Sequence, residues 1–226
     1  ELPVLREQTR RNPPKRKKKG ATLLLREAME GVVTDAEEMV TERVGSLAFQ
    51  FKAGEFFQNN PYILPQFTEF VADQAASPEI RFLVDTYCGS GLFALTSASR
   101  FEKVIGIEVS AAAVRLADSN AALNRIPNAV FRAGEAAHLF EGVTDLPPGE
   151  TSVVLDPPRK GCDEGFLKQL LDFSPKRIVY VSCDPATQAR DVKEILTGNY
   201  RITAIQPFDL FPQTRHIENV AVLESN

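Results

Sequence analysis

The sequence predicts an α/β protein in which a mostly parallel sheet is covered by helices on both faces, with a small antiparallel β element ahead of it. Three observations carry that prediction. From residue 81 onward, short β-branched runs alternate with stretches of helix length, the pattern of repeated strand–helix–strand units with right-handed crossovers. The motifs with chemical potential stand where those strands end, the place at which such sheets gather ligands. Before residue 58 the apolar runs are brief and separated by polar turns, as in antiparallel β structure.

The elements follow in order. Glu1 to Gly20 has Pro13-Pro14 and then Lys15-Arg16-Lys17-Lys18-Lys19, with little apolar periodicity, and reads as a basic mobile arm. A solvated charge run, a nuclear address and an RNA contact all remain open for it. Residues 21–57 read as the small β element, with runs at 21–25, 31–34 and 47–51. Residues 58–226 read as one catalytic domain. Its first helix is expected over 62–75, with Ile63, Phe67, Phe70 and Val71 on one stripe. Strands are expected at 81–86, 103–108, 129–132, 152–156, 177–182, 202–208 and 219–223. Helices are expected near 92–99, 110–124, 164–172 and 186–197.

Composition narrows the function classes. With 43% hydrophobic and 25% charged residues the chain is ordinary globular protein, and no run approaches the roughly eighteen apolar residues of a membrane span. Cys88, Cys162 and Cys183 are an odd number without metal-ligand spacing, and no signal peptide leads them. An intracellular, reducing compartment is expected, whether cytoplasm, nucleus or mitochondrion. The net charge of -4 argues weakly against a nucleic-acid partner, yet the first nineteen residues hold eight basic and two acidic side chains. The chain does not open on methionine, and a piece of a longer protein is expected.

Four stretches carry chemistry. Phe82-Leu83-Val84-Asp85 runs into Thr86-Tyr87-Cys88-Gly89-Ser90-Gly91, where two glycines let the backbone turn tightly against a ligand and a following helix offers N–H groups. Glu108, ending the next strand, is an acceptor placed for ribose hydroxyls or a solvated carboxylate. The spacing also satisfies a loose dinucleotide fingerprint, so a nicotinamide-dependent oxidoreductase stays open, although Asp85 four residues before Gly89 fits an S-adenosylmethionine loop better. Second, Val153-Val154-Leu155 ends in Asp156-Pro157-Pro158-Arg159-Lys160-Gly161, a carboxylate held rigid by two prolines and followed by two cations able to contact phosphate. Third, Tyr180-Val181-Ser182-Cys183-Asp184-Pro185 passes from a buried strand into a helix. A helix N-terminus favours thiolate, the nucleophilic form, so Cys183 is either a reactive thiol or a small buried hydrophobe. Fourth, Thr214-Arg215-His216-Ile217-Glu218 leads into the last strand and offers an imidazole and a carboxylate as bases, or a solvated surface.

Together, Phe56-Phe57-Gln58-Asn59-Asn60, Asp85 to Gly91, Asp156-Pro157-Pro158-Arg159, Ser182-Cys183-Asp184 and Thr214 to Glu218 occur in an order and spacing that resembles the RNA uracil-C5 methyltransferases. The wording of Gly89 to Phe93, Pro157 to Asp163 and Thr187 to Asp191 resembles the fungal tRNA (uracil-5-)-methyltransferase branch. The resemblance covers about residues 20 to 226 and implies a class I, Rossmann-like, S-adenosylmethionine-dependent fold with a seven-stranded sheet. It implies Cys183 as nucleophile and Glu218 as the base that takes the C5 proton. Gln58, Tyr87, Gly89, Glu108 and Asp156 would then surround S-adenosylmethionine, leaving S-adenosylhomocysteine as product. Arg159, Lys160 and Arg215 are the candidates for RNA phosphates, and no metal is implied. The expected reaction is methylation of a uridine of tRNA (T-loop) to 5-methyluridine by a monomer, with no membrane partner. An rRNA target and an RNA-folding protein with secondary catalysis are the alternatives. Leu92 stands where many bacterial members have asparagine, so no side-chain contact to the cofactor is expected there. The family's N-terminal RNA-binding domain and the cysteine cluster of some members are not found in this sequence.

Overall fold

The structure is a computed structural model and describes residues 26–29, 31–58, 60–134, 140, 143 and 145–226. The basic arm, the run at 21–25 and Asn59 lie outside the described residues. Two hairpins come first: β1 (Arg26–Ala28) with β2 (Gly31–Val33), and β3 (Met39–Val44) with β4 (Leu47–Lys52). Sequence reading missed β1 and β3. In β3 only Val40 and Val44 are buried, so Thr41-Glu42-Arg43 between them hides the strand.

The remaining elements alternate as expected: α1 (Leu64–Ala75), β5 (Phe82–Thr86), α2 (Leu92–Ser97), β6 (Lys103–Glu108), α3 (Ala111–Leu123), β7 (Ala129–Ala133), β8 (Thr151–Leu155), α4 (Glu164–Phe173), β9 (Arg177–Ser182), α5 (Pro185–Ile195), β10 (Tyr200–Phe208) and β11 (Glu218–Ser225). They form one seven-stranded sheet in the order β10-β11-β9-β8-β5-β6-β7. Only β11 runs against its neighbours, because it enters between β9 and β10 from the opposite end. Alternate side chains of each strand feed two cores. Leu83, Val104, Val154, Val179 and Val222 pack under α1 to α3 and the β3–β4 hairpin, while Val84, Ile105, Val153, Ile178 and Tyr180 pack under α4 and α5. On α1 the buried stripe is Leu64, Phe67, Thr68, Val71, Ala72 and Ala75, with Ile63 and Phe70 half-buried at its margin. None of the described helices is long and apolar enough to cross a membrane.

Two asparagines dock the second hairpin. Asn120 on α3 and Asn124 at its C-cap lie one turn apart and pair their amides with the free edge of β4. Asn120 accepts from Gln50 N–H at 2.8 Å and donates to Gln50 C=O at 3.1 Å, and Asn124 does the same to Ala48 at 2.9 and 2.7 Å. Asn120, fully buried, also donates to the carbonyl of Ser90 in the glycine turn at 3.1 Å. Asn120→Ala orphans these backbone groups and is expected to cost about 2–3 kcal/mol. Urea melts check this, and a loss below about 0.5 kcal/mol contradicts it.

Candidate active site

Along the carboxyl ends of the parallel strands lies a cavity of about 770 Å³ lined by Gln58, Tyr87, Gly89, Glu108, Asp156, Arg159, Lys160, Cys183 and Glu218, among others. Nine of the ten residues named from the sequence therefore converge. Arg215, exposed in the loop before β11, is not among the lining residues. No group of three or more His, Cys, Asp or Glu side chains able to hold a metal occurs among the described residues.

The catalytic candidates are brought together by register. β11 pairs with β9 so that Asn219 faces Ser182, which places Glu218 and Cys183 at the next step of the same ladder. Gln188 of α5 secures that end: its Nε2 donates to Tyr180 C=O at 2.8 Å and to Asn219 C=O at 3.1 Å, and its Oε1 accepts from Asn219 Nδ2 at 2.6 Å. Glu218 is buried at 2% exposure, and its Oε2 has no hydrogen-bond partner among the described residues. Burial first, then the charge of Asp156, pushes its carboxyl up to about 8, against a smaller pull from Arg159. Asp156 itself, half-buried in the cavity lining, is pushed up to about 7 by burial.

Cys183 corrects an expectation. Burial raises the thiol, with Glu218 adding to the rise and the Arg159 guanidinium opposing both, so the net shift is away from the thiolate that a helix N-terminus was expected to favour. One residue on, the Asp184 carboxylate caps α5 by accepting from Ala186 and Thr187 N–H at 3.0 and 3.2 Å. It consumes the donors whose partial charge would have favoured thiolate. Arg159 is exposed, lines the cavity and has Nη2 3.4 Å from His216 Nδ1. Lys160 stays at the exposed rim.

At the glycine turn the N–H groups are partly taken. Glu108 accepts from Gly89 at 3.2 Å and from Ser110 at 3.0 Å, and the buried Asp85 accepts from Ala94 at 2.8 Å. Two carboxylates standing where a pyrophosphate would need free donors disfavour the dinucleotide reading. Among charged lining residues, Glu55, Glu108, Asp156, Asp163 and Glu218 outnumber Arg159 and Lys160, which suits a cationic ligand. Gln58 Oε1 is buried and unpartnered among the described residues, a second acceptor awaiting a donor. These features fit a sulfonium-bearing nucleoside.

Sequence reading left Phe56 and Phe211 without a role. Both line the cavity, and Phe56 is 74% exposed at its mouth while Phe57 is buried and stacks on Phe51 at 4.2 Å. The signal was present, since adjacent residues of an extended segment face opposite ways and only one of the two rings can enter the core. Asn60 fixes the segment by donating to Leu210 C=O at 3.2 Å, beside Phe211.

Comparison with known proteins agrees with this geometry. Residues 30–226 match the family model described as tRNA (Uracil-5-)-methyltransferase. The tRNA (uracil(54)-C(5))-methyltransferase of Schizosaccharomyces pombe is 46% identical over 222 residues, covering 91% of this chain and 42% of the relative. Its Saccharomyces cerevisiae counterpart is 48% identical over 203 residues, covering 85% and 32%. The chain thus spans well under half the length of these curated relatives. Among solved structures, the Pyrococcus abyssi tRNA (uracil-54, C5)-methyltransferase in complex with S-adenosyl-L-homocysteine superposes with a TM-score of 0.73 at 30% identity, covering 92% of this chain and 49% of that one. With a match over nearly all the described residues, a seven-stranded methyltransferase sheet and a cysteine and glutamate on one ladder, the chain belongs to the tRNA (uracil-5-)-methyltransferase family.

Proposed function

We propose that this chain is the catalytic part of an enzyme that methylates carbon 5 of a uridine in tRNA, through a covalent adduct between Cys183 and carbon 6. The observation that carries the proposal is the placement of Cys183 and Glu218 on adjacent strand ends of one cavity that also contains the glycine turn. Gln58, Tyr87, Gly89, Glu108 and Asp156 would hold S-adenosylmethionine, which supplies an electrophilic methyl group on a sulfonium.

The chain's own residues do the rest. Carbon 5 of uracil is a weak nucleophile until electron density is added to the ring. The Cys183 thiolate attacks carbon 6, forming a C–S bond, and the former C5–C6 pair is delocalised as an enolate with carbon 5 nucleophilic. Once carbon 5 bears the methyl group, the Glu218 carboxylate takes its proton. That C–H pair restores the ring double bond while the C–S bond breaks and the thiolate departs. A carboxyl pushed up to about 8 is a stronger base, once ionised, than an exposed glutamate. The uridine reaches this pocket only when flipped out of its stack, at a cost of a few kcal/mol.

The deciding experiment incubates the full-length protein with total RNA and a labelled methyl donor and maps the label. Expected is 5-methyluridine in tRNA, with calorimetry showing binding of S-adenosylhomocysteine and none of NAD. Label confined to rRNA, on another atom, or absent despite cofactor binding would overturn the proposal.

A further inference from the structure

Helix α5 grips the loop that follows β8. Asp191, only 1% exposed, accepts with Oδ2 from Tyr180 Oη at 2.6 Å and from Cys162 N–H at 2.8 Å, and with Oδ1 from Arg190 Nε and Nη2 at 2.9 and 2.7 Å. Arg190 Nη2 also donates to Lys160 C=O at 2.9 Å, and one turn earlier Thr187 Oγ1 donates to Arg159 C=O at 3.1 Å. One stretch of α5 therefore holds the backbone at residues 159, 160 and 162. Gly161, between them, has φ +77°, and a Cβ there would meet Asp191 Oδ2 and Arg190 Nη2. The clamp closes on bare backbone.

A buried carboxylate bound by this many donors costs desolvation that an apolar residue of similar size would not, so packing alone does not account for it. What it supplies is register between two segments whose nearer ends line the cavity: the β8 loop, which carries Asp156 and Arg159, and the helix that begins just after Cys183. We propose that Asp191, together with Arg190, is a positioning residue for the cysteine chemistry, setting the Arg159 guanidinium against the Cys183 sulfur. Cys183 shares one cavity lining with Glu218, Asp156 and Arg159, the charged groups that act on its sulfur, and Arg159 is the cation among them. Loosening the clamp leaves the two carboxylates dominant. The Cys183 thiol would then ionise at higher pH.

This inference rests on the role proposed for Cys183, but its test needs neither RNA nor turnover, so failure of the methylation assay and failure of the clamp are separable. The full-length protein without ligand is alkylated with iodoacetamide across a pH series, and peptide mass spectrometry resolves Cys183 from the buried Cys88 and Cys162. Asp191→Asn is expected to move the Cys183 midpoint up by about half a pH unit or more, slowing alkylation below the midpoint roughly threefold. Arg190→Ala, at a side chain 57% exposed, should shift it the same way by less and remain folded if Asp191→Asn does not. In an Arg159→Ala background neither substitution should shift the midpoint further. A folded Asp191→Asn or Arg190→Ala protein that melts cooperatively and titrates Cys183 as the parent does would overturn the proposal, as would a further shift without Arg159. A purely structural clamp would lower the melting temperature and leave the titration where it was.

Discussion

Cys183→Ala is expected to reduce 5-methyluridine formation by on the order of 10⁴-fold or more, because removing the nucleophile leaves carbon 5 unactivated. Affinity for S-adenosylhomocysteine should change by less than about twofold, since the sulfur is needed only at the ring. Glu218→Gln should fail at the other end of the sequence. Addition and methylation proceed, the C5 proton stays, and the protein accumulates as an RNA adduct visible as a band of reduced mobility on denaturing gels. An adduct with Cys183→Ala, or none with Glu218→Gln, would reverse or remove these roles. The parent enzyme's rate should climb with pH through about 8, where Glu218 ionises, with the raised Cys183 thiol extending the climb.

Glu218→Gln should also stabilise the protein, and by an amount that pH controls. The folded carboxyl keeps its proton up to about 8, whereas an unfolded one loses it near 4.5. Between those values the folded state holds the extra proton, so stability is lost as pH rises and levels off above about 8. Glutamine has no proton to lose. The variant's advantage should be near zero at pH 4 and reach on the order of 3 kcal/mol at pH 8.5, or roughly 6–12 °C in melting temperature for a chain this size. Asp156→Asn should behave alike in a lower window, between 3.8 and about 7. Melts at pH 4, 6 and 8.5 check both, and an advantage independent of pH would mean that the carboxyl is not held neutral by burial.

The two results together explain what sequence alone could and could not deliver. The sheet was legible because its central strands are buried on both faces and read as unbroken runs such as Ile178-Val179-Tyr180-Val181. Three of the motifs were legible because each stands where a parallel strand ends, after β5, β8 and β9. The convergence of Cys183 and Glu218 on one cavity was legible only by resemblance: 35 positions separate them, and it depends on β11 running antiparallel between β9 and β10, a reversal that no local pattern announces. The direction of the thiol's shift was not legible, because burial, its largest cause, depends on the folded surroundings; the aspartate directly before Pro185 is legible as an N-cap that claims the helix's donors for itself. Asp191 was invisible for a different reason. An acidic residue in a polar helix looks like a solvated one until the loop it anchors folds across it.

The pair of amides on α3 has a consequence beyond holding the hairpin. Outer strands of small sheets are templates onto which foreign chains can add, and here that vacancy is filled by side chains imitating a peptide backbone at Ala48 and Gln50. The buried Asn120 amide touches both Gln50 of that ribbon and Ser90 of the glycine turn, so a slip of the outer strand pulls directly on a residue that lines the cavity.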